Sequence, residues 1–176
     1  MIKCGKKGVN IMKKENIKKC IIVLFAIYCL VLIYVLFLHN TYRYEFNAIG
    51  INDYFSEEHM QMVNIVPFKT IFGYFQRLVN HRINTDIVVR NLFVNLVLFL
   101  PMGMAIPVLC ENKINKFWKF LILIILMTFI IEIIQFISMR GTADIDDVIL
   151  NSIGGCIGYG IIQIKPIGKL LKIDEQ

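Results

Sequence analysis

The sequence predicts an all-α, polytopic membrane protein: four transmembrane helices, with a short interfacial helix in the first outer loop. Three observations predict it. Hydrophobic residues make up 57% of the 176 and mean hydropathy is +0.64, against roughly 45–50% apolar residues in soluble domains. Four apolar stretches, 20–38, 88–109, 120–139 and 148–164, approach the roughly 20 residues that carry a helix across a bilayer core about 30 Å thick. Lysines gather at alternate ends of those stretches, as they do on cytoplasmic flanks.

Residues 1–19 carry Lys3, Lys6, Lys7, Lys13, Lys14, Lys18 and Lys19 and form a basic cytoplasmic arm. The stretch 20–38 reads as the first transmembrane helix, not as a cleaved signal peptide. It is long enough to span, and LFLHNTY at 36–42 lacks a small-x-small cleavage pattern. Residues 39–87 form the outer segment. A turn of helix is expected near Ser56, and Asn64-Ile-Val-Pro67 is expected to be extended or turned, because proline disfavours helix at the residue before it. Beyond it, Ile71, Phe72, Phe75, Leu78 and Val79 share one helical face, with Lys69, Gln76, Arg77 and Asn80 on the others. That pattern suits a helix lying in the interface or capping the bundle from outside, and a plain loop helix packed on the core fits the period equally.

In the second span, Asn91 and Asn95 lie four residues apart on one face. Pro101, Gly103 and Pro107 predict a kinked or loosened inner half. Lys113, Lys116 and Lys119 return the chain to the cytoplasm. The third span aligns Thr128, Glu132, Gln135 and Met139, and residues 140–147 form the second outer turn. The fourth aligns Asp144, Asp147, Asn151, Gly154 or Gly155, and Gly158. Gly154-x-x-x-Gly158 is a small-residue seam that admits a second helix at close range. The tail 165–176, with Lys165, Lys169 and Lys172, is cytoplasmic, so both termini are expected inside.

This topology accounts for the net charge of +6, and no nucleic-acid module accompanies the lysines. Cys4, Cys20, Cys29, Cys110 and Cys156 fall in the inner flank, at a boundary or within a span, without a C-x-x-C pair. They indicate neither a disulfide framework nor a zinc site. His39, His59 and His81 have no ligand spacing, and no cofactor is indicated.

The chemistry concentrates elsewhere. Topology places Arg90, Asn91, Asn95, Glu132, Gln135, Arg140, Asp144, Asp147 and Asn151 in the outer half, where three helices could present polar faces at one depth. An ionisable side chain inside a bilayer costs about 2.5–3.5 kcal/mol on insertion scales, so such residues usually face a protein interior or polar cavity. They are the candidate ligand site. Glu132 is the candidate acid or base, and in the membrane it should be neutral or paired with Arg90 or Arg140. Plainer roles compete: Asp144 and Asp147 suit a helix N-terminus, and the three asparagines suit interhelical hydrogen bonds of about 0.6 kcal/mol each. Four acids, Glu132, Asp144, Asp146 and Asp147, oppose two arginines. A hard cation on Asp144, Asp146 and Asp147 is a weak alternative, since Asp-x-Asp-Asp lacks the ligand count and loop glycine of an EF-hand.

Four segments in order resemble the motifs of VanZ-like membrane proteins: Asn64-Ile-Val-Pro-Phe-Lys-Thr-Ile71, Asn91-Leu-Phe-Val-Asn-Leu-Val-Leu-Phe-Leu-Pro-Met-Gly103, Glu132-x-x-Gln135, and Arg140-x-x-x-Asp144-x-Asp-Asp147-x-x-x-Asn151-x-x-Gly154. They define a VanZ-like region at 64–164 and leave the basic arm and residues 41–63 uncovered. The resemblance implies a protein of the bacterial cell membrane, in a family whose founding member is associated with resistance to the glycopeptide teicoplanin. It implies no particular reaction. Three function classes follow. The first is an envelope factor, embedded in the lipid bilayer, that binds a lipid, a cell-wall intermediate or a glycopeptide. The second is an intramembrane enzyme, with Glu132 as acid or base and the arginines holding a lipid phosphate. A small transporter ranks third, because the polar residues stop at mid-membrane.

Overall fold

A helix that is apolar all round needs either a protein interior or lipid around it, and this chain builds both. The computed structural model describes residues 3–38, 57, 63–110, 114, 116–138 and 140–164, with backbone alone for 3–14. Helix α1 (Lys3–Ile33) runs into a π-helical turn (Tyr34–Leu38). Strand β1 (Val63–Asn64) precedes α2 (Lys69–Val79). Helices α3 (Thr85–Leu98) and α4 (Leu100–Cys110) make one broken span, followed by α5 (Phe117–Ile137). Strand β2 (Ala143–Asp144) then leads into α6 (Ile145–Ile162). Four units are long and apolar enough to cross a membrane: Glu15–Leu38, Thr85–Cys110, Phe117–Ile137 and Ile145–Ile162. Many of their large apolar side chains, such as Leu30, Phe93, Trp118 and Ile130, point outward, as lipid-facing residues do.

The boundaries differ from the sequence pattern for local reasons. The second span starts at Thr85, where Asn84 occupies the cap position and Asp86 favours the first turn. The fourth starts at Ile145, because Asp144 caps it. The third runs Phe117–Ile137, from Lys116 at its cap to Ser138 at its end. The expected kink falls at Phe99, where the second span breaks. Pro101 has no N–H to return to the carbonyl four residues back. The Tyr28 hydroxyl donates to the neighbouring Leu98 carbonyl at 2.8 Å and seats α1 against the break.

Helix α6 is the hub, packed against α3, α4 and α5. Its glycines permit this: a Cβ on Gly154 would overlap the Leu96 carbonyl, and one on Gly158 the Leu100 carbonyl. Gly103 meets the Gly155 backbone equally closely. The small-residue seam is therefore a backbone-to-backbone contact with the broken span. The half of the bundle away from α2 is apolar. Leu32, Phe99, Met102, Ile106, Phe120 and Ile124 form its core, and Phe120 stacks on Tyr159 with ring centroids 4.6 Å apart.

Helix α2 packs on the N-terminal ends of α3 and α6 and buries none of its residues. Phe72 and Phe75 are more than half exposed and face away from the bundle, as an interfacial helix requires. Several expectations lie outside the described residues: the turn near Ser56, His39, His59, Met139, and Lys113, Lys165, Lys169 and Lys172. The side chains of Cys4 and of Lys3, Lys6, Lys7, Lys13 and Lys14 do so too.

Candidate functional site

On α5 the buried residues are Phe120, Ile124, Thr128, Glu132 and Gln135, a single stripe at four- and three-residue spacing. The stripe changes from apolar to polar at Thr128. Its hydroxyl lies 3.1 Å from the Ser152 hydroxyl of α6, which sets the register of two antiparallel helices. One turn outward, Glu132 (5% exposed) accepts the Asp144 N–H at 3.4 Å. On the third side, Asn95 of α3 donates its amide to the Asp147 carboxylate. Asn151 sits one turn beyond Asp147 on α6 and is 3% exposed. Its Oδ1 has no hydrogen-bond partner among the described residues. Asn95 and Asp147 thus meet across α3 and α6, with the buried Glu132 and Asn151 on neighbouring turns of α5 and α6.

The other two acids have a different task. Asp144 accepts the Asp146 N–H at 2.9 Å as the cap of α6, and also accepts the Asn64 amide at 2.8 Å and the Thr70 hydroxyl. Asp146, fully buried, accepts the backbone N–H groups of Phe68, Thr70 (2.8 Å) and Ile71 (3.1 Å). A carboxylate from α6 therefore caps the N-terminus of α2, where orphan N–H groups and the helix dipole both favour an anion. Parallel pairing of Val63 with Ala143 and Asn64 with Asp144 completes the clasp. Phe68 adopts φ 65, a left-handed conformation that a bulky residue keeps only when its surroundings impose it.

The remaining candidates lie outside this cluster. Arg90 is exposed, and Asn91, also exposed, donates to the Tyr74 hydroxyl of α2 at 2.9 Å. Asn91 and Asn95, predicted to share one face, thus take different partners. Gln135 donates to the Leu36 carbonyl in the π-helical turn at 3.3 Å. Arg140 is half-buried, and its N–H closes the end of α5 on the Gln135 carbonyl at 3.0 Å. For the alternative cation site, the geometry is unfavourable. Neighbouring helical residues point about 100° apart, so Asp146 turns to α2 and Asp147 to Asn95. Among the described residues no group of three or more His, Cys, Asp or Glu is arranged to hold a metal ion.

Sequence reasoning missed Asn64, Thr70 and Tyr74 as partners of this region. Asn64 carried a signal: its Oδ1 accepts the Val66 N–H at 3.2 Å, the turn an asparagine forms ahead of a proline. Thr70 stood in the same 64–71 motif without a role of its own, and Tyr74 carried no signal, because its partner Asn91 lies on another helix.

A sequence model of the VanZ/LLP1 family matches residues 25–166. Protein VanZ of Enterococcus faecium is 30% identical over 142 residues, which is 78% of this chain and 72% of that protein. No solved structure matches.

Proposed function

This chain belongs to the VanZ-like family, and on that premise we propose that it contributes to teicoplanin tolerance in a bacterial envelope. It does so by binding a lipid or cell-wall ligand in the outer half of the membrane. The observation that supports this most is the polar cluster: two carboxyl groups, Glu132 and Asp147, with Asn95 and Asn151 on adjoining turns of α3, α5 and α6. Polar groups at membrane depth are expensive; capping accounts for Asp144 and Asp146 and an interhelical hydrogen bond for Asn95 with Asp147, but the buried Glu132 carboxyl and the unmet Asn151 Oδ1 are left over. On the same reading both termini face the cytoplasm, which the lysines support: Lys116 and Lys119 flank the N-terminal end of α5, and lysine-rich flanks stay inside.

The test is expression in a sensitive Gram-positive host. Tolerance to teicoplanin should rise more than tolerance to unrelated drugs. Glu132→Gln, which keeps shape and removes charge, should abolish the rise at unchanged membrane abundance. An unchanged phenotype returns Glu132 to packing. Arg140→Lys and Arg140→Ala should both fail, since lysine keeps the charge but loses the planar fork.

One feature favours a second reading, an intramembrane enzyme acting on a lipid. Glu132 is the least committed of the four acids, accepting a single long hydrogen bond, so its carboxyl is free to exchange a proton with a substrate. That reading predicts a lipid profile altered by the parent protein and restored by Glu132→Gln.

A further inference from the structure

We infer that the interior site takes a primary ammonium group. The inference rests on the ligand site proposed above and specifies its occupant. Acceptors outnumber donors there. Asp147 receives the Asn95 amide on one oxygen, Glu132 receives one backbone N–H at 3.4 Å, and the Asn151 Oδ1 receives nothing among the described residues. The nearby Thr128 hydroxyl is engaged with the Ile125 carbonyl and with Ser152. A buried acceptor left unmet costs about 1–3 kcal/mol, so the occupant should bring donors.

The three groups are placed to share one occupant. The Thr128–Ser152 contact fixes the register of α5 against α6. Glu132, one turn outward from Thr128, then lies level with the turn between Asp147 and Asn151. An alkylammonium has three N–H donors, no acceptor and a positive charge. That matches one oxygen from each of Glu132, Asp147 and Asn151, and offsets the carboxylates. Other occupants fit less well. Water would satisfy Asn151 without offsetting charge. A quaternary ammonium has no N–H and is recognised by aromatic faces, which this trio does not supply. A hard cation would find only three protein oxygens here, fewer than it ordinarily takes, and no group of three or more His, Cys, Asp or Glu is arranged for a metal among the described residues. The ammonium could be a lipid headgroup or a free amine.

The full-length protein in phosphatidylcholine nanodiscs distinguishes these. Ethanolamine should raise the unfolding midpoint saturably, and choline, its trimethylated analogue, should act at least about tenfold more weakly. Discs of phosphatidylethanolamine should show the rise without added amine if the source is a lipid. Glu132→Gln and Asp147→Asn, each of which preserves shape, should remove the response while the protein still unfolds cooperatively. Equal action of choline overturns the inference, as does a response surviving in both variants, or a response to magnesium but not to ethanolamine. If neither amine source acts although Glu132→Gln has abolished tolerance, the ammonium is refuted and the site stands. If ethanolamine binds but Glu132→Gln leaves tolerance intact, the occupant is right and the resistance role fails.

Discussion

Asp146 shows how much one side chain can hold. Its two oxygens take three backbone N–H groups from the start of α2, across 75 to 78 residues of sequence. In Asp146→Asn one oxygen becomes an amide that is itself a donor, so it confronts N–H groups instead of accepting from them. The substitution should cost about 2 kcal/mol or more, given about 1.5–3 kcal/mol for a hydrogen bond to a charged group. Hydrogen exchange should locate the loss at 68–79 before the spans loosen. Protection at 68–79 equal to that of the parent would refute the clasp. Asp147, the next residue, should behave differently. It faces Asn95 instead of α2, so Asp147→Asn should leave 68–79 protected.

Helices here approach closely through some of their glycines and not others. On α6, Gly154 and Gly158 lie against the carbonyls of Leu96 and Leu100, whereas Gly160 has nothing within 4 Å of the position a Cβ would take. The neighbours at the first two positions are backbone and cannot rotate aside. Gly154→Ala should therefore cost about 3 kcal/mol or more, at or above the usual range for overpacking. Gly160→Ala should be neutral or mildly stabilising, since alanine is favoured over glycine in helices by about 0.5–1 kcal/mol. Thermal unfolding of the two variants in one detergent makes the comparison. Equal midpoints would show that α6 does not approach the broken span this closely. The contact with Ile124 at Gly155 is softer, since that neighbour is a side chain.

At the scale of the molecule, polarity among the described residues is graded along the bundle axis. Apolar residues such as Phe120, Ile124 and Ile106 fill the half beyond Thr128, and the acids occupy the half nearer the 138–144 turn. The lysines predict an orientation: in intact cells, single cysteines at Asn80 or Thr142 should react with an impermeant thiol reagent, and one at Asn115 should not. Strong labelling at Asn115 would invert the protein and place the acidic half inside. Class, number of spans and their order could be read from composition, because a bilayer imposes one long apolar run per crossing and leaves little choice of element. The faces were readable too. Glu132 with Thr128 and Gln135, and the Gly154/Gly158 seam, follow from a period of 3.6 residues alone. The division of labour among the acids was not. Asp144, Asp146 and Asp147 are neighbours in sequence, yet two bind α2 and one binds α3. Which does which depends on how far α6 is rotated about its axis and on where α2 docks, and packing across 50 to 80 residues of chain decides both. Asn91 and Asn95 parted for the same reason: periodicity assigns a face, and only the neighbouring helices decide what that face meets.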